Sequence, residues 1–475
     1  MICVPVFGNG DKEIIGKIRK SSADIIEFRA DKSSGFNLKK IISSCKKPII
    51  VTNRKKEEGG EFKGGESDRI KVLEDAIECG ADYVDIENSS YPSLSKRGRA
   101  KIIVSYHNFS VSSDLEKKYN EMKSKGDLLK IVGTANSISD NLIAFRLLEQ
   151  ARQDGKKLVS FCMGEKGEIS RILCMKFGAF LTFAKEEEGT APGQIDANIM
   201  RNVFRINKLN KDTNIYGLVG NPVAKSKGYL IHNAAFKSLK LNNAYVNFLV
   251  EDVKGFMKDF SGFYSGLSVT MPHKQEIMKY LDEVEETAKK IGAVNTVAVE
   301  NGKTIGYNTD WIGAVTAIEK RTGIEGKDVL LFGCGGAGRA IAFGIKKKGG
   351  ALTVVDTDKK KRDSLAKDAD CEKMFPEDIS DIDEDILINA SPAGMHPNVN
   401  EAPFDISLIK KGMVVFDAVY NPLKTRLLRE AEKKGCKIVP GVEMFINQGI
   451  AQFELWTRKK APKKLMEKIA LKSLK

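Results

Sequence analysis

The chain has 475 residues, 42% of them hydrophobic, too many for one ordinary domain and enough for two or three cores. Its formal net charge of +14 raises nucleic acid as a partner, but the lysines alternate with acids along helical stretches such as KKYNEMKSK and AEKKG, a pattern of solvated faces. No run approaches the ~18 to 20 apolar residues of a membrane span, and MICVPVFGNGDKE lacks the basic-then-apolar build of a signal peptide.

The eight cysteines are scattered without a metal-binding spacing, and only four histidines are present. Reduced thiols in a cytoplasmic protein are expected, and no metal site. The expected partners are small molecules, with neither nucleic acid nor a membrane among them. Oligomeric state is left open by the sequence.

Residues 1–207 repeat one rhythm. Strand-like runs appear at ICVPVF, DIIEFRA, PIIVTNR, YVDIE, KIIVSYH, LLKIVGT, LVSFCMG and FLTFA, with amphipathic helical stretches such as SDRIKVLEDAIECG between most of them. Eight strand–helix units in about 200 residues predict an α/β fold of the (β/α)8 TIM-barrel type. Reactive groups of such barrels sit at the C-terminal ends of the strands. Glu27, Arg29, Arg54, His107 and Lys130 fall there or within a strand, Arg171 follows strand seven, and Thr190 and Gln194 follow strand eight.

Lys130 carries the most information, because it interrupts an apolar strand covered on both faces. Desolvation and nearby arginine cations are expected to depress its basicity and leave a nucleophilic amine, of the kind that forms Schiff bases with ketones. His107, the one histidine of this half, lies a strand away and is placed to move a proton.

Residues 205–214, RINKLNKDTN, are polar and without period, and predict a linker. A second two-lobed unit follows. Its first lobe is expected over 214–310, completed by helices from 443–475. A Rossmann dinucleotide-binding lobe is expected over 311–442. There VLLFGCGGAGRA runs a strand into Gly333, Gly335, Gly336, Ala337 and Gly338, and LTVVD ends a second strand at Asp356. Glycines allow the tight turn and the close approach of backbone N–H groups to a pyrophosphate. Lys274 and Asp310, in LSVTMPHK and YNTD, are a lysine–aspartate pair able to pass a proton to a carbonyl or alcohol oxygen.

The motifs EFRAD, TNR, SYH, LLKIVGTA, MGEKGEISR and TAPGQ, in this order, resemble type I 3-dehydroquinate dehydratase. The resemblance implies that Lys130 forms an imine with the substrate ketone. It makes His107 the general acid/base, with Glu58 orienting it, and Arg171 the clamp on the substrate carboxylate. Thr190 and Gln194 close over the substrate, and Glu27, Arg29 and Arg54 bind ring hydroxyls. Thr190 stands where that family usually has serine, and the domain is short for the family.

The second half resembles shikimate dehydrogenase over its full length, through GNPVAKS, LSVTMPHK, GAVNT, YNTD, INASPAGM, FDAVYNPLKT and GVEMFINQG. This implies Lys274 and Asp310 as the catalytic pair, and Ser226, Thr270, Asn295, Tyr420 and Gln448 at the substrate. Met395 falls in a loop beside the nicotinamide. Gly228 replaces a serine of the carboxylate site, which opens space for quinate, and Ser268 replaces an asparagine. Asp356-Thr357-Asp358 replaces the usual Asn-Arg-Thr. NADP is the coenzyme the resemblance implies. Asp356 favours the free ribose diol of NAD, while Lys359, Lys360 and Lys361 still offer positive charge to a 2′-phosphate. Together the resemblances imply dehydration of 3-dehydroquinate and reduction of 3-dehydroshikimate to shikimate. The alternatives are oxidative turnover of quinate and shikimate, or a catalytically silent half.

Overall fold

The computed structural model describes residues 1–96 and 98–474. The chain divides into two compact units, residues 1–214 with 242–250, and residues 215–241 with 251–475. Lys475, the last residue of the expected C-terminal helical segment, lies outside the described residues.

The first unit is the expected barrel. Its strands are β1 (Ile2–Val6), β2 (Ile25–Arg29), β3 (Ile49–Thr52), β4 (Tyr83–Glu87), β5 (Lys101–His107), β6 (Leu128–Thr134), β7 (Leu158–Met163) and β8 (Thr182–Phe183). They run side by side in the order β7-β6-β5-β4-β3-β2-β1-β8, and the pairings are parallel. The barrel is near-closed, since among the described residues no ladder joins β7 to β8. The strands are almost wholly buried, as parallel strands covered on both faces must be, and so read as apolar runs. A charged residue inside such a strand therefore has to find its partner within the protein. Arg54 lies two residues past the end of β3, not at its last residue.

The second unit holds two sheets. In the first, strand Gly266–Val269 runs parallel to Asn214–Gly220 and antiparallel to Thr296–Glu300, which forms a hairpin with Lys303–Tyr307. Asn301 and Gly302, both at positive φ, make that hairpin's turn. The helix Gly441–Thr457 packs on this sheet. Gln452 donates to Thr296 Oγ1 at 3.0 Å, and Trp456 Nε1 donates to the carbonyl of Val297 at 2.9 Å. The later helix Lys463–Ser473 brings Met466 near Gly449 of the helix Gly441–Thr457.

The other sheet is parallel, with six strands ordered Glu372–Met374, Ala351–Val355, Asp328–Phe332, Ile386–Asn389, Val414–Asp417 and Lys437–Pro440. This is the doubly wound dinucleotide-binding order. The crevice at its switch point opens between the ends of Asp328–Phe332 and Ile386–Asn389. Among the described residues no helix is long and apolar enough to cross a membrane.

Candidate active sites

At the C-terminal mouth of the barrel a pocket is lined by Glu27, Arg29, Arg54, Glu58, His107, Lys130, Arg171, Thr190 and Gln194. Every barrel residue singled out from the sequence therefore meets at one place. Neighbouring strands in register bring their ends together, so side chains far apart in sequence share one opening.

Lys130 Nζ is not surrounded by cations alone. It stands 3.0 Å from Asp85 Oδ2 and 3.6 Å from Glu27 Oε1, and lies over the Phe183 ring at 4.2 Å. Arg54, the cation expected beside it, pairs with the other oxygen of Asp85 at 2.7 Å. It also donates to Ser105 Oγ at 2.6 Å. Arg29 is taken up bidentately by Asp31, at 2.9 and 2.7 Å. Thr52 donates to Glu27 at 2.9 Å.

Glu58 Oε2 accepts from the His107 backbone N–H and faces His107 Nδ1, both at 3.0 Å. Burial raises the Glu58 carboxyl to about 7, with Glu87 adding to the shift and Arg54 opposing it. Burial, and then the cations of Arg54 and Lys130, hold the His107 imidazole well below its ordinary range. A neutral imidazole that gives its Nδ1–H to Glu58 keeps Nε2 as a base.

Arg171 is fully buried, with its guanidinium over Phe161 at 4.3 Å and one donor on the Pro192 carbonyl at 3.1 Å. Burial pushes it down to about 10. Its Nε and Nη1 have no hydrogen-bond partner among the described residues. Two unpartnered donors on a buried cation suit an anionic ligand such as a carboxylate, although Nε–H and Nη1 point to different sides of the guanidinium and do not form one fork. Thr190 and Gln194 close their loop on each other: Thr190 N–H donates to Gln194 Oε1 at 2.7 Å, and Gln194 Nε2 donates to Thr190 Oγ1 at 3.3 Å.

Sequence reasoning passed over Asp85 and Glu87. Glu87 accepts from Arg54 at 3.3 Å and from the Lys55 backbone at 3.0 Å, and pairs with Arg69 at 2.7 Å. The signal was available: two acids at i and i+2 in the buried strand YVDIE share one face.

In the second unit Lys274 Nζ donates to Asp310 Oδ2 at 2.6 Å. Asp310 opens the helix Asp310–Glu319, and its N–H donates to Asn308 at 3.0 Å. Asn295 is spent largely on its neighbours. Its oxygen accepts from the Thr309 N–H at 2.7 Å and from Thr296 Oγ1 at 2.8 Å, and its amide donates to Thr309 Oγ1 at 3.0 Å. Among the described residues one amide N–H is left over. Gln448 donates to the carbonyl of Phe445 at 2.8 Å, and the Tyr420 ring stacks on Phe445 at 4.7 Å. Ser226 Oγ accepts from the Gly228 N–H at 3.3 Å, within its own loop. Lys225 lies 3.5 Å from His396, so the loop of Ser226 meets the loop of Met395. The Thr270 methyl lies against Gly220.

The crevice of the dinucleotide-type lobe is lined by Gly333, Gly335, Asp356, Thr357 and Lys361, among others. Gly336, Ala337 and Gly338 open the helix Gly336–Lys347 behind it. Gly333 has φ +98°, and a Cβ there would meet Ser391 N at 2.7 Å. A Cβ at Gly338 would fall on the Gly333 carbonyl, whereas at Gly335 it would meet nothing within 4 Å. The loop is thus tight below and open above, as close approach of a pyrophosphate needs. Asp356 accepts from the Cys334 N–H at 2.7 Å and from the Asp358 N–H at 2.8 Å, so each carboxylate oxygen already holds a backbone group. Lys361 pairs with Asp358 at 3.2 Å. Among the described residues no group of His, Cys, Asp or Glu is placed to hold a metal ion.

Comparison with known proteins agrees with this division. The family model for type I 3-dehydroquinase matches residues 2–211. That for the shikimate dehydrogenase substrate binding domain matches 218–297, and that for the shikimate 5′-dehydrogenase C-terminal domain matches 441–471. The bifunctional 3-dehydroquinate dehydratase/shikimate dehydrogenase of Arabidopsis thaliana, a chloroplastic protein, is 37% identical over 99% of this chain and 84% of its own length. A shikimate dehydrogenase solved with NADP+ is 39% identical, with a TM-score of 0.54, over 56% of this chain and 97% of its own. A quinate dehydrogenase from Corynebacterium glutamicum, solved with NAD, is 29% identical with a TM-score of 0.52, over 55% of this chain and 99% of its own. With one relative aligned across both units, and each unit carrying a site of the matching chemistry, the chain belongs to the family of bifunctional 3-dehydroquinate dehydratase/shikimate dehydrogenases.

Proposed function

We propose that the chain performs two consecutive steps of the shikimate pathway. Residues 1–207 dehydrate 3-dehydroquinate to 3-dehydroshikimate. Residues 214–310, completed by 443–475, bind the product for reduction to shikimate, and residues 311–442 bind the coenzyme. The observation that carries the reading is Lys130, buried in a barrel strand yet opening on the same cavity as His107 and the unpartnered donors of Arg171.

In the barrel, Lys130 attacks the ketone and forms the imine. Arg171 holds the substrate carboxylate with its buried guanidinium. His107, oriented by Glu58, moves the proton beside the iminium and returns one to the departing hydroxyl as water. Glu27, Arg29 and Arg54 surround the ring hydroxyls, and Thr190 and Gln194 cover the substrate.

In the second unit Gly333, Gly335, Gly336, Ala337 and Gly338 would hold a nicotinamide dinucleotide, with Asp356, Thr357 and Lys361 at the ribose end and Met395 near the nicotinamide. When bound, that coenzyme supplies the reducing equivalent. Lys274 and Asp310 give the proton to the carbonyl oxygen. Ser226, Thr270, Asn295, Tyr420 and Gln448 orient the ring. Lys361 in the crevice supports NADP, and the eight unpaired thiols support a reducing compartment such as the cytoplasm.

The test supplies 3-dehydroquinate with NADPH, and separately with NADH, and follows nicotinamide oxidation. Oxidation with NADPH is expected. Absence of both nicotinamide oxidation and 3-dehydroshikimate accumulation would overturn the reading.

A second reading, oxidation of quinate with NAD, is favoured by Gly228 at the substrate loop and by Asp356. If it holds, Gly228→Ser lowers the ratio of quinate to shikimate oxidation; an unchanged ratio removes the steric argument.

A further inference from the structure

Strand β4 contributes no residue to the readings above, yet it carries the group nearest to the reactive amine. Asp85 is almost completely buried, and its two oxygens have different partners: Oδ2 is 3.0 Å from Lys130 Nζ, and Oδ1 is 2.7 Å from Arg54. Arg54 is in turn held by Glu87, two residues along β4, and Glu87 by Arg69 at 2.7 Å. The carboxylate facing Lys130 is therefore fixed from behind by a buried arginine that cannot turn away.

We propose that Asp85 is the positioning residue and counter-ion of Lys130, holding its nitrogen at the cavity and stabilising the positive charge it carries as ammonium before imine formation and as iminium after it. The inference rests on the Lys130 imine reading. In that step the ammonium form of Lys130 first gives one proton to His107, on the neighbouring strand β5. The nitrogen lone pair then forms a C–N bond to the ketone carbon, and the C=O π pair moves to oxygen. The resulting carbinolamine oxygen takes up the nitrogen's second proton and the proton held by His107, and leaves as water. The nitrogen is left as a protonated iminium. The charge at nitrogen is the same at the start and at the end, and Asp85 faces it in both states. Asp85 does not serve as the proton acceptor: burial opposes its charge, but Arg54 and then Lys130 outweigh this and hold the carboxyl well below its usual range.

Other charged groups face Lys130 across the barrel. Glu27 of β2 lies at 3.6 Å; Arg29 of β2, Arg54 after β3, His107 of β5, Glu58 and Arg171 line the same cavity, and the Cys3 thiol of β1 lies close enough to sense it. Removing Asp85 leaves Arg54 without its shield toward the amine, with Glu27 as the remaining nearby carboxylate. Both the ammonium and the iminium then lose their protons more easily.

The test is cyanoborohydride trapping of the full chain with 3-dehydroquinate, read as mass gain at Lys130 against pH. In Asp85→Asn both limbs of the trapping profile are expected to move down by about 1 pH unit or more, as loss of an opposite charge at this range does. Loss of a structural contact alone lowers the amplitude and leaves the limbs in place, and that result overturns the proposal. Asp85→Glu keeps the charge one methylene farther out and is expected to retain the wild-type limbs at lower amplitude. If Asp85→Asn does not fold, as read by circular dichroism, Asp85→Glu carries the test, and displaced limbs in it overturn the proposal. Absence of trapping in the wild type would instead remove the imine reading itself.

Discussion

Lys274 Nζ lies 2.6 Å from Asp310 Oδ2, which joins the loop after strand Gly266–Val269 to the first turn of the helix Asp310–Glu319. Asn295 holds Thr309, the residue just before Asp310, through hydrogen bonds to its backbone N–H and its hydroxyl. The pair is thus set on a rigid base and not on a free loop.

Substituting Lys274 by Ala, or Asp310 by Asn, is expected to lower 3-dehydroshikimate reduction by about 10²- to 10⁴-fold, the usual weight of a positioned acid–base group. Dehydration is expected to be unchanged, because the barrel is a separate unit. Nicotinamide oxidation and dehydroshikimate accumulation, measured on the same preparation, check both statements.

Arg171→Lys keeps a cation but loses the guanidinium donors that are unpartnered among the described residues. The KM for 3-dehydroquinate is expected to rise about 10- to 100-fold, corresponding to one or two charge-assisted hydrogen bonds. Steady-state dehydration kinetics read this directly, and an unchanged KM would remove Arg171 from carboxylate binding.

Glu58 gives a pH signature. Its carboxyl, raised to about 7, must ionise before it can support a charged His107. Dehydration is therefore expected to rise through about pH 7, and Glu58→Gln to lack that limb. Stability moves the other way. A carboxyl whose folded value lies above its unfolded one binds the extra proton in the folded state, so it opposes folding above about 7 and this cost fades as pH falls toward ~4.5. His107, held low in the fold, weakens stability as pH falls below about 6.5, so each variant is compared with wild type at the same pH. Melting of the barrel at pH 8 and pH 5 is expected to show Glu58→Gln gaining on wild type at pH 8 relative to pH 5.

The glycines of the dinucleotide loop separate into two roles. Gly338→Ala puts a methyl onto the Gly333 carbonyl and is expected to lower the melting temperature of the second unit. Gly335→Ala meets open space and is expected to leave melting unchanged while weakening coenzyme binding. Fluorescence titration with NADPH, beside thermal melting, distinguishes the two.

The barrel was legible because its strands are buried on both faces and therefore appear as apolar runs at regular spacing. Lys130 stood out against such a run. His107, Arg171 and the TAPGQ loop fell at strand ends, where the fold gathers reactive groups. The i, i+2 spacing of Asp85 and Glu87 puts them on one face of their strand, but that spacing is the same whether the face meets solvent or a lysine. Their role depends on register: Asp85 pairs with Ile103 of β5, Ile103 pairs with Leu128 of β6, and Lys130 lies two residues farther along on the same face. The resemblance puts Asn295 at the substrate; that most of its hydrogen-bonding capacity goes to Thr296 and Thr309 is visible only in the packing of two loops.

The order of hydrophobic runs, the glycine loop and the types of reactive residue were determined by the sequence itself, since periodicity and backbone permissiveness are local properties. The tertiary structure decided which charges neutralise which. It put Asp85 between Lys130 and Arg54, turned both oxygens of Asp356 toward backbone N–H groups, and left two donors of Arg171 free for a ligand. These are outcomes of distance across a folded core, where a charge removed from water must be matched by whatever the neighbouring strands bring within about 3 Å.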